Sequence, residues 1–262
     1  MTPFFRSDMI MPVLFVGHGS PINAIQRNAF SEAWSKAGED LPRPSAVLCI
    51  SAHWETADSR LTAMLNPQTL YDFHGFPPEL YQVQYPAPGS PELARHIRQS
   101  IPEARFQLDH NWGLDHGAWS VLKHLFPTGD VPVVQLSLDI KASIERHYQL
   151  GQMLKPLRRQ GVLVIGSGNI VHNLRTMRPS VQPYDWAVTF DRTATERIND
   201  FDHRSLIHYE TLGEYAQLAV PTREHFLPLL YVLAMQEVGE KLHFFANQIT
   251  MGSISMRSLR IG

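Results

Sequence analysis

The 262-residue chain is long enough for one large domain with a substantial core. At 44% hydrophobic and 18% charged residues it has the make-up of an ordinary folded domain, not of a disordered or fibrous chain. A formal net charge of −2 gives no electrostatic ground for nucleic acid or an anionic membrane surface as partner.

Near the N-terminus Arg6 and Asp8 interrupt the apolar residues, and the run at 11–16 is too short to span a membrane, so neither a signal peptide nor an anchor is expected. Residues 13–16 have strand character and end at Gly17-His18-Gly19. Ser20 suits a helix N-cap with Pro21 at the first helical position, where a missing N–H costs nothing. Ile22, Ile25, Ala29, Ala33 and Trp34 continue one helical stripe, with Gly38 placed to stop it. Residues 46–51 are nearly all apolar, as in a strand covered on both faces, and lead into Ala52-His53-Trp54. The single cysteine, Cys49, lies inside that run and reads as a small core residue. No intrachain disulfide is possible, which suits a reducing, cytoplasmic location.

Residues 61–65 read as a strand. Residues 66–91 are rich in proline, glycine and aromatics, the composition of a long ordered loop serving as a wall or lid. Ser90 and Pro91 start a helix to about residue 100, and 106–108 read as a strand. Gly113-Leu114-Asp115-His116-Gly117 leads into a helix to about 126, and 131–138 form a strand. A helix over 144–160 ends at Gly161. The strand at 162–165 runs into Gly166-Ser167-Gly168-Asn169-Ile170-Val171-His172. A helix covers 186–201, another opens at Pro221-Thr222-Arg223-Glu224-His225 and continues through Leu233, and strands at 242–246 and 253–258 close the chain. There is no repeat, and the nineteen prolines are not gathered into a hinge. The alternation predicts a single α/β domain over 1–262, with a mostly parallel or mixed central sheet flanked by helices.

Thirteen histidines against one cysteine point to nitrogen rather than sulfur as the donor for any metal. Three apolar strands each place a histidine at or just beyond the carboxyl end: His18, His53 and His172. In a parallel sheet those ends share one edge, where open α/β sheets bind ligands, so the three imidazoles can converge there. His225 reads either as a solvated first-turn residue or as a fourth group pointing into the same crevice. Asp115 is a candidate to orient His116. For His74, His96, His110, His124, His147, His203, His208 and His243 the pattern gives no reason to expect more than an ordinary structural or surface role, except that His74 lies in the suspected lid. No zinc-finger spacing, no Walker lysine and no complete dinucleotide turn occur.

Five motifs in order, Gly17-His18-Gly19-Ser20-Pro21, Ser51-Ala52-His53-Trp54, Gly113 to Gly117, Gly166 to Leu174, and Pro221 to Leu230, closely resemble the class III extradiol ring-cleavage dioxygenases. The nearest branch is the 4,5-DOPA dioxygenase extradiol group, related in fold to the catalytic subunit of protocatechuate 4,5-dioxygenase. The resemblance runs from about residue 11 to Met251 and the residues after it. It implies one domain holding one divalent metal per chain, Fe2+ for activity, which opens a catechol beside its hydroxyls with O2. By motif, His18, His53 and His225 match metal ligands. His172 matches an acid/base that can also approach the metal, and His116 matches a histidine associated with substrate and O2. The usual ferrous oxygenase set is two histidines and one carboxylate. An all-histidine set stays at net +2 and binds Zn2+ more tightly than Fe2+, so zinc is an ion the site would also hold. The implied partners are a small catechol and O2, with no nucleic acid and no membrane. The alternatives are a zinc hydrolase using a metal-bound hydroxide in the same crevice, and a non-enzymatic metal-binding relative. Trp54 and the aromatic residues of 71–85 are candidates for a ring-binding wall and equally for core packing.

Overall fold

In a computed structural model, which describes residues 10–180 and 182–262, the first apolar run becomes strand β1 (Val13–Gly17), buried along its whole length. Arg6 and Asp8 lie outside the described residues. The other strands are β2 (Ala46–Thr56), β3 (Arg60–Thr62), β4 (Gln107–Asp109), β5 (Val133–Asp139), β6 (Val162–Gly168), β7 (Leu242–Phe245), β8 (Ile249–Thr250), β9 (Ile254–Ser255) and β10 (Ser258–Ile261). Among the described residues they build an eight-stranded sheet in the order β4-β3-β5-β2-β6-β1-β10-β7 and a separate β8-β9 pair.

The four middle strands, β5, β2, β6 and β1, run parallel to one another. Their carboxyl ends therefore lie on one edge. Antiparallel pairings extend both sides: β3 on β5, β10 on β1, and β7 on β10. Alternation along the strands divides the core between two faces. Val13, Phe15, Leu48 and Ile50 pack with Leu229, Leu230 and Leu154, while Leu14, Val16, Val47 and Cys49 pack with Trp34, Trp119 and Leu122.

The helices are α1 (Ala29–Glu39), α2 (Pro91–Ser100), α3 (His116–Leu125), α4 (Ile144–Leu154), α5 (Asp185–Asn199), α6 (His203–Ile207), α7 (Ala216–Ala219) and α8 (Leu227–Leu233). Three of them correct the sequence reading. The single stripe expected after Ser20 is two pieces. Ser20 caps only a short 3-10 turn, Pro21–Ala24, and Asn28 then starts α1 through a reciprocal capping box with Ser31. Gly38 does not stop this helix. It lies inside α1, where a β-carbon would collide with the Leu125 backbone, so it lets α1 approach α3. The helix expected over 144–160 becomes 3-10 from Lys155, beside Pro156, before Gly161 closes it at φ 77°. Most relevant to the site, the helix expected from Pro221 begins at Leu227, which leaves His225 in the preceding turn. Among the described residues no helix is long and apolar enough to cross a membrane.

The segment 66–91 is ordered, with one 3-10 turn, Pro78–Gln82. Polar contacts fix it to α3 and the turn before it: the Leu70 N–H donates to the Leu114 carbonyl at 2.7 Å, and Trp119 Nε1 donates to the Leu70 carbonyl at 2.8 Å.

Candidate metal centre and active site

β1 delivers His18 one residue past its end, and the β1–β6 ladder continues there through a 3.1 Å bond from the His18 N–H to the Gly168 carbonyl. The ring is 1% exposed. Ser167, paired with Val16 in that ladder, gives its hydroxyl hydrogen to the Gly117 carbonyl at 2.6 Å. At its second contact, His18 Nδ1 at 3.0 Å, that hydroxyl acts as acceptor. The network thus assigns the His18 proton to Nδ1 and leaves Nε2 as a lone pair.

Where the sequence led to a strand ending before His53, β2 carries His53 as part of the strand, within the register shift between Ile50 and Glu55. His53 Nε2 comes within 3.0 Å of His18 Nε2. Gly117 makes room for this approach: a β-carbon there would sit 2.6 Å from Ser51 Oγ and 2.9 Å from the His53 ring. His225 arrives from the turn before α8, its carbonyl held by the Asn169 N–H at 2.8 Å. Its Nδ1 donates to Glu224 Oε1 at 3.0 Å, and its Nε2 is buried with no protein partner. Ring centroids lie 5.3 Å from His18 and 5.0 Å from His53. One donor atom from each of the three lies within 4.8 Å of the others.

His172 is not one of these three. It lies four residues beyond β6, stacked on His225 with centroids 3.4 Å apart and planes 9° apart, and it groups instead with Glu224 and His225. His116, the first residue of α3, packs 3.9 Å from the His53 ring centroid and 5.6 Å from that of His18. The structure thus brings all five sequence candidates together around the carboxyl ends of β1, β2 and β6.

Burial holds His18 and His225 well below the ordinary imidazole range, and the neighbouring imidazoles push the same way. Burial likewise lowers His53 to about 3 and His172 to about 4. These rings are neutral at neutral pH, the state in which imidazole ligates a metal. The unpartnered buried Nε2 of His225, beside the close His18–His53 Nε2 pair, is costly by itself. The set fits a divalent transition-metal cation, which would give all three rings a common partner.

The sequence profile described as the catalytic LigB subunit of aromatic ring-opening dioxygenase matches residues 12–257. The chain belongs to this family. It is 41% identical to a 4,5-DOPA dioxygenase extradiol of Escherichia coli K12, with all of both chains covered, and 37% identical to one of Beta vulgaris, with 97% of each covered. A solved structure of an uncharacterized protein from Escherichia coli K12 superposes at a TM-score of 0.85 with 40% identity, covering 96% of this chain and all of that one. With the family comes aromatic ring-opening dioxygenase chemistry, ahead of the hydrolase and non-enzymatic alternatives.

Behind the histidines of the crevice stand carboxylates and hydroxyls, and one of them differs from the sequence expectation. Asp115 does not orient His116. It caps α3 through the Ala118 N–H and accepts from Ser51 Oγ at 2.6 Å and Gln135 Nε2 at 2.7 Å. Burial and the nearby Asp72 charge raise its pKa. The group facing His116 is Asp72, from the aromatic loop, with Oδ2 2.9 Å from His116 Nδ1. No spacing rule links residues 72 and 116, so pattern alone misses this pair. Ser167 and Glu224 sit beside motif histidines, yet only the fold shows which ring nitrogen each holds.

The aromatic candidates separate. Trp54 is 3% exposed and stacks on Trp112 at 5.5 Å with planes 1° apart, a packing role. Phe73 stands edge-on to His116 at 5.6 Å and is backed by Phe76 and Tyr81, so the loop does bring an aromatic wall to the crevice.

Proposed function

We propose that this chain opens a catechol of the DOPA type beside its hydroxyls with O2, using one divalent metal ion held by His18, His53 and His225. The observation that carries the metal assignment is the convergence of one donor nitrogen from each of three rings whose Nδ1 positions face Ser167, Asp72 and Glu224. The DOPA assignment comes from relatives named for that substrate.

Bound Fe2+ would supply the redox chemistry that joins O2 to the ring, and the better-binding Zn2+ would occupy the site without supplying it. The chain's own residues do the rest. His172, neutral and stacked beside His225, takes a hydroxyl proton from the catechol as it binds. His116 and the edge of Phe73 border the space next to the three ligands. One ring C–C bond breaks, both oxygen atoms of O2 enter the product, and a ring-opened semialdehyde results. The setting proposed is cytoplasmic, with neither nucleic acid nor membrane as partner.

The test is anaerobic loading of metal-free protein with Fe2+, addition of DOPA and then O2. A yellow ring-opened product with O2 uptake is the expected result. No product from any simple catechol, with stoichiometric iron bound, would overturn the proposal.

A further inference from the structure

Asp72 joins three parts of the fold. It lies on the loop 66–91, 19 residues from His53 on β2 and 44 from His116 at the start of α3. Its two oxygens serve two donors of one residue: Oδ1 accepts from the His116 N–H at 2.8 Å, and Oδ2 accepts from His116 Nδ1 at 2.9 Å. The same Oδ2 faces His53 Nδ1 at 3.6 Å, too far for a full hydrogen bond but close for a charge. Its side chain is 19% exposed.

His53 has a choice to make. In the absence of a cation its Nε2 could keep a proton and donate it across 3.0 Å to the His18 lone pair. That form cannot bind a metal through Nε2. A negative charge beside Nδ1 favours the other tautomer, with the proton on Nδ1 and a free lone pair on Nε2. For His116 the demand is stricter. Two N–H donors point at Asp72, and only a carboxylate has an acceptor for each. An amide would meet one of them with its NH2 group.

We infer that Asp72 is the positioning residue of this site: from the aromatic loop it fixes the Nδ1–H tautomers of both His116 and His53, aiming the Nε2 of one at the substrate space and that of the other at the metal. The inference rests on the metal site proposed above. It ties loop 66–91 to the chemistry, because the segment bearing Phe73 also sets the donor atoms.

The test uses the full-length chain with 15N-labelled histidine. Long-range 1H–15N spectra report the tautomer of each ring, with His116→Ala to assign signals, and Zn2+ affinity is measured by competition with a chromophoric chelator. The wild type should show His116 as the Nδ1–H tautomer. A wild-type His116 protonated on Nε2 overturns the inference before any variant is made. In Asp72→Asn, His116 should switch to Nε2–H, and Zn2+ affinity should fall roughly 10- to 100-fold, the usual cost of losing a carboxylate behind a metal-bound histidine. An unchanged tautomer together with affinity within about twofold, against that expected loss, overturns it. Asp72→Glu keeps both acceptor oxygens and should restore the Nδ1–H signal and most of the affinity; a folded Glu variant that matches Asn in both readouts also overturns it. None of these readouts needs turnover. A wild type that opens no catechol therefore sinks the proposed function while leaving the role of Asp72 to be judged separately.

Discussion

Two groups of buried histidines in this molecule begin from the same physics and end differently. His18, His53 and His225 meet at the carboxyl ends of the parallel strands. His147 and His203 lie between α4, α6 and α8, 0% and 5% exposed. Burial lowers the pKa in both groups, with His53 at about 3 and His147 at about 4. Neither burial nor a shifted pKa therefore marks the site. The ring nitrogens do. His203 has both engaged, Nδ1 with the Tyr148 hydroxyl at 2.9 Å and Nε2 with Gln236 Oε1 at 3.0 Å. His147 has Nδ1 on the Tyr231 hydroxyl at 2.9 Å, and its Nε2 is buried without a hydrogen-bond partner as in His225, but among the described residues no second imidazole is in ring contact with it, so that nitrogen has no other donor beside it. In the crevice, each of the three rings has its Nδ1 directed at an oxygen and a donor nitrogen within 4.8 Å of the other two. On the metal site proposed above, a buried histidine serves as a ligand when its second nitrogen is free and lies beside the donor nitrogens of other rings.

The largest expected contrast tests that rule. His18→Ala should abolish stoichiometric metal and with it turnover. His203→Ala should keep both and lose only stability, by about 1–3 kcal/mol, the cost of stranding buried partners. Metal analysis and chemical denaturation of the two variants separate the outcomes. Full metal in His18→Ala, or none in folded His203→Ala, would erase the distinction.

Within the crevice the rule divides ligands from the stacked neighbour. His172→Ala should retain the metal and lose about 10²- to 10⁴-fold in turnover, the range for removing a general acid or base. A folded His172→Ala without metal would make His172 chiefly a ligand.

Acid should reach both regions. Burial holds His147 at about 4 in the folded state against an ordinary 6.5, so the unfolded chain takes up the proton first as pH falls. The stability contributed by its neutral form is complete above pH 6.5 and is lost as pH drops toward 4, in total about 3 kcal/mol at ~1.4 kcal/mol per unit. Denaturation of metal-free protein across that window should show the slope, and His147→Gln, which still reaches Tyr231, should flatten part of it. A curve that His147→Gln leaves unchanged would assign the proton uptake to the crevice alone.

What could be read before folding follows the same division. Strand ends were legible, because an apolar run closed by a small residue and a histidine puts that histidine on a known edge; this is how His18 and His53 emerged. The setting of His225 was only half legible. Pro228 belongs to the first turn of α8, so a helix starting at Pro221 would have had to carry it internally, and that signal was in the chain. The break before α1 was likewise written in Asn28 and Ser31. Asp72 was not legible. It reaches His116 across 44 residues from a loop with no periodicity, and the neighbouring Asp115 offered a simpler, wrong partner.

The smallest expected effect is also the sharpest comparison, because the same atom is removed in both regions. Ser167→Ala and Tyr148→Phe each delete a hydroxyl that faces a buried histidine Nδ1. In the α4–α6 contact the deletion should cost about 1 kcal/mol of stability and leave metal binding alone. In the crevice it leaves the His18 Nδ1–H without an acceptor, and the ring lowers its energy by moving the proton to Nε2. That proton then points at His53 Nε2, 3.0 Å away, where the metal should be. Zn2+ affinity should therefore fall about tenfold, the low end for losing a group that orients a ligand, with little change in the melting of the metal-free chain. Equal losses of stability and no loss of affinity would mean that the serine only packs, and that His18 is held for the metal by the strand end alone.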